Sequence, residues 1–436
     1  MVSRDDRQQT TAEAPYQRGR VRPAFMTVLA LALAIMPMGS AWPCDHRSFE
    51  EPLSSQQWYL SWNEYGTRPW DGAGVSVGVI DTGIDATHPE LAGAYDAGAS
   101  RSFLASASCG TDPSCLDPGT DPPGHGTGVA GVIAAAWDGR GIGGASPGVS
   151  LVSLKAGDAA GFFSADAIAR AVRYGSDAGL DILVMPFTAD PWFRYCEDAP
   201  GDTSEERAQQ ASELAAIEDS LDYAADRGVV LVAAAGNQGF DLDHGTVDKF
   251  SAGRSDREVN DRCTTMPAQA DNVITVGAVD ASGVRSSYSN VGAAVDIVAP
   301  GGEPLWYDES NVLHGRDTAI LTTVPEQVLR RAGLLAADGG AAASEVVSDC
   351  DGGSGSCRYY WYVCGTSYAA PQVAAAAAVL LSRGVPASQL RDRLTALASP
   401  MGCPATSAGL LCQASASGNT WYGAGALRLA GHRGHH

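Results

Sequence analysis

Positive charge is scarce in this chain. Lysine and arginine together number 29 against 50 aspartates and glutamates, a formal net charge of −21 over 436 residues. A surface that acidic repels nucleic-acid phosphates and the anionic face of a membrane, which argues against either as a partner. The spacing Cys-x-x-Cys is missing as well: none of the ten cysteines is placed as in a zinc knuckle or a thioredoxin-like redox site. Beyond residue 41 no apolar run approaches the roughly 20 residues needed to cross a bilayer. No internal repeat is found, and Asp-Thr-Gly occurs once. Aspartic-protease chemistry, which needs two carboxylates sharing one proton, is thereby excluded.

What is present is enough apolar material for a large core, 45% of the chain, and a cysteine set that reads as extracellular. Cys109 and Cys115, Cys350 and Cys357, and Cys403 and Cys412 lie close together in glycine- and proline-rich segments and read as disulfide-closed loops. Cys196 and Cys263 can clamp a longer polar excursion. Cys44 and Cys364 are left over, and whether they pair with each other stays open. At the N-terminus Arg18, Arg20 and Arg22 precede an apolar run from Ala24 to Met38, followed by Gly39, Ser40 and Ala41. That order is a signal peptide with a cut after Ala41. Trp42 and Pro43 make a poor approach to lipidation at Cys44. The expected product is a secreted or periplasmic protein, soluble after export, free of the membrane and monomeric.

From Gly74 the pattern alternates short β-branched runs with helical stretches, the signature of a parallel sheet covered by helices. Strands are expected at 75–80, 151–154, 181–185, 229–234, 273–279 and 295–298. Helices are expected at 127–136, 165–178, 213–227 and 366–382, the last alanine-rich on every side and hence buried. Polar excursions fill 99–124, 189–208, 239–263 and 325–351, with a flexible stretch at 336–343. Residues 431–436, with His432, His435 and His436, read as a disordered tail.

Four residues carry candidate chemistry. Asp81, in Val79-Ile80-Asp81-Thr82-Gly83, stands where an apolar strand ends, and catalytic groups in open α/β sheets gather at such carboxyl ends. His125, in Gly124-His125-Gly126-Thr127-Gly128, opens a helix with an approachable imidazole. Histidine with a buried aspartate supplies a general base of fixed tautomer. Ser367, in Gly365-Thr366-Ser367-Tyr368-Ala369-Ala370-Pro371, begins the alanine-rich helix. There a serine is a cap or, with backbone N–H groups nearby, a nucleophile. Asn237, in Ala235-Gly236-Asn237-Gln238-Gly239, follows a strand and can donate to an oxyanion, or serve as a turn residue.

The order Asp, His, Ser in these contexts resembles the subtilisin (subtilase) family of serine proteases. The likeness runs from Gln57-Trp58-Tyr59-Leu60, through Met266-Pro267-Ala268 and Ala299-Pro300-Gly301, to Gly423–Leu427. It implies a three-layer α/β fold with a mostly parallel central sheet. It also implies a catalytic domain over 57–430 that cleaves protein or peptide substrates through Asp81, His125 and Ser367. Asn237 becomes the oxyanion donor, and no cofactor takes part in the chemistry. Met185, Pro186, Phe187, Thr188 and Gly236 become the substrate-binding stretch. A structural calcium ion is implied, with Glu90 and Asp138 as ligands.

The pattern also departs from the family. Only residues 42–56 stand where a prodomain is usual, so disulfides and metal are expected to take over its role. N-terminal sequencing of the exported protein checks that expectation. Pro186, Phe187 and Thr188 replace a serine, a leucine and a glycine at the edge that pairs with an extended substrate. Cys364 replaces a small polar residue, and Tyr368 and Gln372 replace a methionine and a histidine. These changes leave two further readings: a subtilase-fold module that binds peptides without cleaving them, and a processing protease dedicated to one partner.

Overall fold

Strand-forming runs of valine, isoleucine and leucine build the centre of the molecule. The computed structural model describes residues 51–63, 71–109, 113–253, 256–308, 312–351, 357–404 and 410–429. The expected signal peptide, Cys44, residues 42–50 of the extension and the tail at 431–436 lie outside the described residues.

Seven strands form one sheet: β1 (Ser76–Asp81), β2 (Arg101–Ser102), β3 (Ser150–Lys155), β4 (Ile182–Met185), β5 (Val230–Ala234), β6 (Val273–Val279) and β7 (Val295–Pro300). Their order is β2-β3-β1-β4-β5-β6-β7, and every pairing is parallel. This is the expected subtilisin-like architecture. The helices are α1 (Trp58–Trp62), α2 (His125–Ala134), α3 (Ala165–Asp177), α4 (Ser204–Ala225), α5 (Glu326–Arg331), α6 (Thr366–Ser382) and α7 (Leu390–Leu397).

Because strand side chains alternate between faces, each central strand feeds two cores. Val77, Val79, Val184, Val232 and Ala234 meet Ile133 of α2 and Val373 of α6 on one face. Ile80, Leu154, Leu183, Met185 and Ala233 meet Ile168 and Val172 of α3 and Leu221 of α4 on the other. Residues Ala374–Ala378 of α6 are wholly buried. Methyl-sized side chains on every side let this helix lie inside the protein, as expected.

Two expectations need correction. Helix α4 begins at Ser204, nine residues before the expected start at 213. Thr203 accepts from Glu206 N while the Glu206 side chain accepts from Thr203 N, a capping box that starts the helix. The excursion at 325–351 is also ordered structure. It contains α5 and one strand of an antiparallel sheet made of β8 (Ile320–Thr323), β9 (Val346–Cys350) and β10 (Cys357–Val363), in the order β8-β10-β9. The stretch at 336–343 carries turn hydrogen bonds (Ala336 N to Gly340 O, 2.8 Å; Ala342 N to Leu334 O, 2.9 Å). Strand β8 straps the histidine-bearing helix: Thr322 Oγ1 donates to Gly128 O and Thr323 Oγ1 to Thr127 O, each at 2.6 Å.

Disulfides join Cys109–Cys115, Cys196–Cys263, Cys350–Cys357 and Cys403–Cys412. Among the described residues Cys364 is a free thiol.

Candidate active site

Asp81 is the last residue of β1, wholly buried at the carboxyl edge of the sheet. Its Oδ1 accepts the Thr82 N–H at 2.7 Å. His125 is the first residue of α2, and its Nδ1 lies 2.8 and 2.9 Å from the two Asp81 oxygens. Gly126 makes this approach possible. A Cβ there would stand 2.1 Å from Gly83 O and 3.0 Å from Asp81 Cβ. Burial pulls the imidazole pKa down, but the charge of Asp81, its hydrogen bond and the charge of Asp121 outweigh this and hold it above the ordinary value. Nε2 makes no hydrogen bond among the described residues and faces a cleft of about 380 Å³.

Ser367 is the second residue of α6, after Gly365 at φ +147°. Its Oγ donates to the Pro186 carbonyl at 2.9 Å, so the hydroxyl must turn for a proton to reach His125. Pro371 has no N–H to give the Ser367 carbonyl, which loosens the first turn of the helix. Asn237 follows β5. Its Oδ1 accepts from Thr366 N and Thr366 Oγ1, both at 2.8 Å, and the Thr366 hydroxyl accepts from Gly236 N at 3.2 Å. With its oxygen tied down, Nδ2 is the end of the amide left to donate into the cleft.

The cleft is lined by His125, Ser367, Asn237, Gly236, Pro186, Phe187 and Thr188. Phe187 stacks on Phe163 with ring centroids 4.2 Å apart, giving an apolar wall. Met185 is a correction to the sequence reading. It is wholly buried in the core against α3 and α4, because strand alternation turns its side chain away from the α2–α6 face.

Glu90 and Asp138 also part from expectation. Arg358 of β10 reaches into their site. Its two terminal nitrogens bond Asp138 Oδ1 and Oδ2 at 2.9 and 2.7 Å, and NH1 lies 3.2 Å from Glu90 Oε1, which also accepts the Tyr360 hydroxyl. The nearby backbone offers N–H groups, Gly139 N to Glu51 at 3.1 Å and Arg140 N to Asp138 at 3.1 Å, where a cation needs carbonyl oxygens. These residues do not fit a calcium ion; a guanidinium takes its place.

The free thiol of Cys364 has its pKa pushed up to about 11 by burial and by Glu303, so it stays protonated and poorly nucleophilic. Gln372 is fully used inside: Nε2 donates to Pro300 O at 2.6 Å and Tyr368 O at 2.7 Å, and Asn63 donates to its oxygen. Sequence reasoning passed over Thr82, Asp121 and Thr366, which hold the candidate residues in place. The signal available was Asp121, an acidic residue three positions before the N-cap Gly124, close enough to take up free N–H groups of the helix start.

Residues 72–401 match a family model described as the subtilase family. Subtilisin DY of Bacillus licheniformis is 29% identical over 335 residues, which are 76% of this chain and 86% of that protein. Subtilisin NAT of Bacillus subtilis subsp. natto is 28% identical over 338 residues, 77% of this chain and 63% of that one. Among solved structures, a lanthipeptide protease shares the fold with a TM-score of 0.59 at 21% identity, over 86% of this chain and 93% of its own. The nisin leader peptidase NisP from Lactococcus lactis shares it with a TM-score of 0.58 at 21% identity, over 81% and 91%.

Proposed function

The chain belongs to the subtilase family and is a subtilisin-like serine endopeptidase, and from that premise we propose that Asp81, His125 and Ser367 are its catalytic triad. Ser367 Oγ attacks the scissile carbonyl carbon while His125 Nε2 takes the hydroxyl proton. The oxyanion accepts hydrogen bonds from Asn237 Nδ2 and the Ser367 N–H. Collapse breaks the C–N bond, and His125 hands its proton to the leaving amine. Water then enters by the same route in reverse and releases the acid. Asp81 holds Nδ1–H and stabilises the imidazolium. The observation that carries this reading is the Nδ1–carboxylate pair at 2.8 and 2.9 Å, in a cleft that also holds Ser367 and Asn237.

The substrate is a protein or peptide bound extended along residues 186–188. Pro186 lacks an N–H and Thr188 adds bulk at this edge, so the range of sequences cleaved is narrow. Processing of a leader-like segment fits that restriction, and a structural neighbour is named as a leader peptidase. Four disulfides and the N-terminal basic–apolar–small order support export. No helix among the described residues is long and apolar enough to cross a membrane.

Ser367 donating to Pro186 O favours one competing reading, a peptide-binding module without turnover. Labelling with a fluorophosphonate separates the two. The wild-type chain should be labelled and Ser367→Ala should not; no labelling of folded wild-type protein would leave the binding module standing.

A further inference from the structure

Behind the Asp81–His125 pair lies a second carboxylate that the mechanism above does not use. Asp121 is wholly buried in the loop before α2. Its Oδ1 accepts the Gly124 N–H at 3.0 Å and the Thr82 hydroxyl at 2.7 Å, and its Oδ2 accepts the Thr127 N–H at 2.7 Å. Gly124 and Thr127 stand on either side of His125, and Thr82 follows Asp81 directly. The Thr82 hydroxyl also lies 3.1 Å from Asp81 Oδ1 and accepts Gly126 N at 3.3 Å. A single side chain thus grips both halves of the pair, one on the sheet and one on the helix.

We propose that Asp121 is a positioning residue of the peptidase reaction, setting Asp81 and His125 in register and adding its charge to the field that stabilises the imidazolium. The inference rests on the triad reading. Two backbone N–H groups and a hydroxyl aimed at one carboxylate are the donors an anion takes, and an anion suits the N-terminus of a helix. Burial pushes the Asp121 carboxyl above its ordinary range, and the Thr127 N–H works against that. The single Thr82 proton is shared between two carboxylates, so the pair of anions is balanced best when His125 is charged, as it is while the peptide bond breaks. Other groups face this corner. The Asp85 backbone N–H donates to Thr127 Oγ1 while its carboxylate accepts from Thr87, and Lys155 Nζ lies 2.8 Å from Thr120 O. Arg331 bonds Pro122 O, and the Tyr368 ring is 5.8 Å from that of His125. None of them bridges the residues beside Asp81 and His125 as Asp121 does.

The test is the pH profile of kcat/KM and of fluorophosphonate inactivation for the full chain carrying Asp121→Asn, Thr82→Val or Thr82→Ser. Asp121→Asn keeps the size and removes the charge. It should lower kcat roughly ten-fold with KM little changed, and move the acid limb down by about half a pH unit. Thr82→Val should lower kcat by a similar factor, and Thr82→Ser should restore it. A folded Asp121→Asn variant with kcat and acid limb both unmoved overturns the proposal. If that variant does not fold, a Thr82→Val variant with wild-type kcat overturns it instead. Failure of the wild-type chain to label would sink the triad reading itself, a different result from normal labelling with insensitive variants.

Discussion

The guanidinium of Arg358 forks onto the Asp138 carboxylate, 2.9 and 2.7 Å from its two oxygens, in the place where the family resemblance implies a calcium ion. Arg358 is delivered by β10, whose partner strand β9 comes from the segment at 325–351 whose pattern reads as surface loop. A built-in cation therefore replaces a bound one. Chelation should leave the melting temperature of the wild-type protein unchanged. Arg358→Met removes the cation that Glu90 and Asp138 face and should cost about 3 kcal/mol above neutral pH, where Glu90 is ionised, and less where it holds its proton. Calorimetry with calcium and with a chelator checks both statements, and a wild-type melting temperature that falls on chelation contradicts the replacement.

Glu90 makes this corner sensitive to pH. Burial pushes its carboxyl from the ordinary 4.5 up to about 7, with Tyr360 and Arg358 pulling the other way. A carboxyl that holds its proton more tightly folded than unfolded contributes stability in full below about pH 4.5. That contribution is lost as the pH rises to about 7. Glu90→Gln keeps a neutral group at every pH, so its stability should fall less than that of wild type between pH 5 and pH 8. Urea unfolding at the two values measures this; equal falls would show that Glu90 does not titrate there.

Ser367 and Asn237 should differ in the size of their effects. In subtilisin, loss of the nucleophile costs on the order of a million-fold in kcat, and loss of the side-chain oxyanion donor about a hundred- to a thousand-fold. Ser367→Ala and Asn237→Ala should follow that ranking, with KM little changed by the second. Steady-state kinetics on a cleavable peptide decides it, and an Asn237→Ala variant as fast as wild type would remove Asn237 from the oxyanion site.

Gly126 tests the closeness of the Asp81–His125 contact. The added methyl of Gly126→Ala would meet Gly83 O at 2.1 Å and wedge α2 away from β1. A displacement of about 1 Å should lower kcat/KM roughly a hundred-fold. Circular dichroism establishes that the variant is folded. A folded variant with wild-type kcat/KM would mean that the loop yields elsewhere.

Much of the fold was legible because the signals are local. The strand at 273–279 and the helix at 366–382 stand where the pattern puts them. The start of α4 was missed although Thr203 and Glu206 spell its cap, because apolar periodicity was weighed above the capping signal. The sheet β8-β10-β9 was missed because β8 is held to β10 by pairing across more than 30 residues, which no local pattern records, and the β9–β10 hairpin lies in a stretch dominated by glycine, alanine and polar residues. For the site, Asp81, His125, Ser367 and Asn237 were read from short motifs beside glycines. Their supports were not: Asp121 acts on Thr82, 39 positions away, and Thr366 acts on Asn237 from 129 positions away.

The sequence by itself determined the order of six strands of the central sheet and of helices α2, α3, α4 and α6, the placing of Asp81 at a strand end and of His125 and Ser367 at helix starts, and the acidic, disulfide-bearing character of the chain. All of these follow from side-chain periodicity, turn chemistry and composition over a few residues. Tertiary structure alone decided that Met185 turns into the core, that Ser367 rests on Pro186 O, that Asp121 ties the two halves of the dyad together, and that Arg358 fills a cation's place. Each depends on which segments meet in space, and hydrogen bonds and ion pairs form between neighbours in space whatever their distance along the chain.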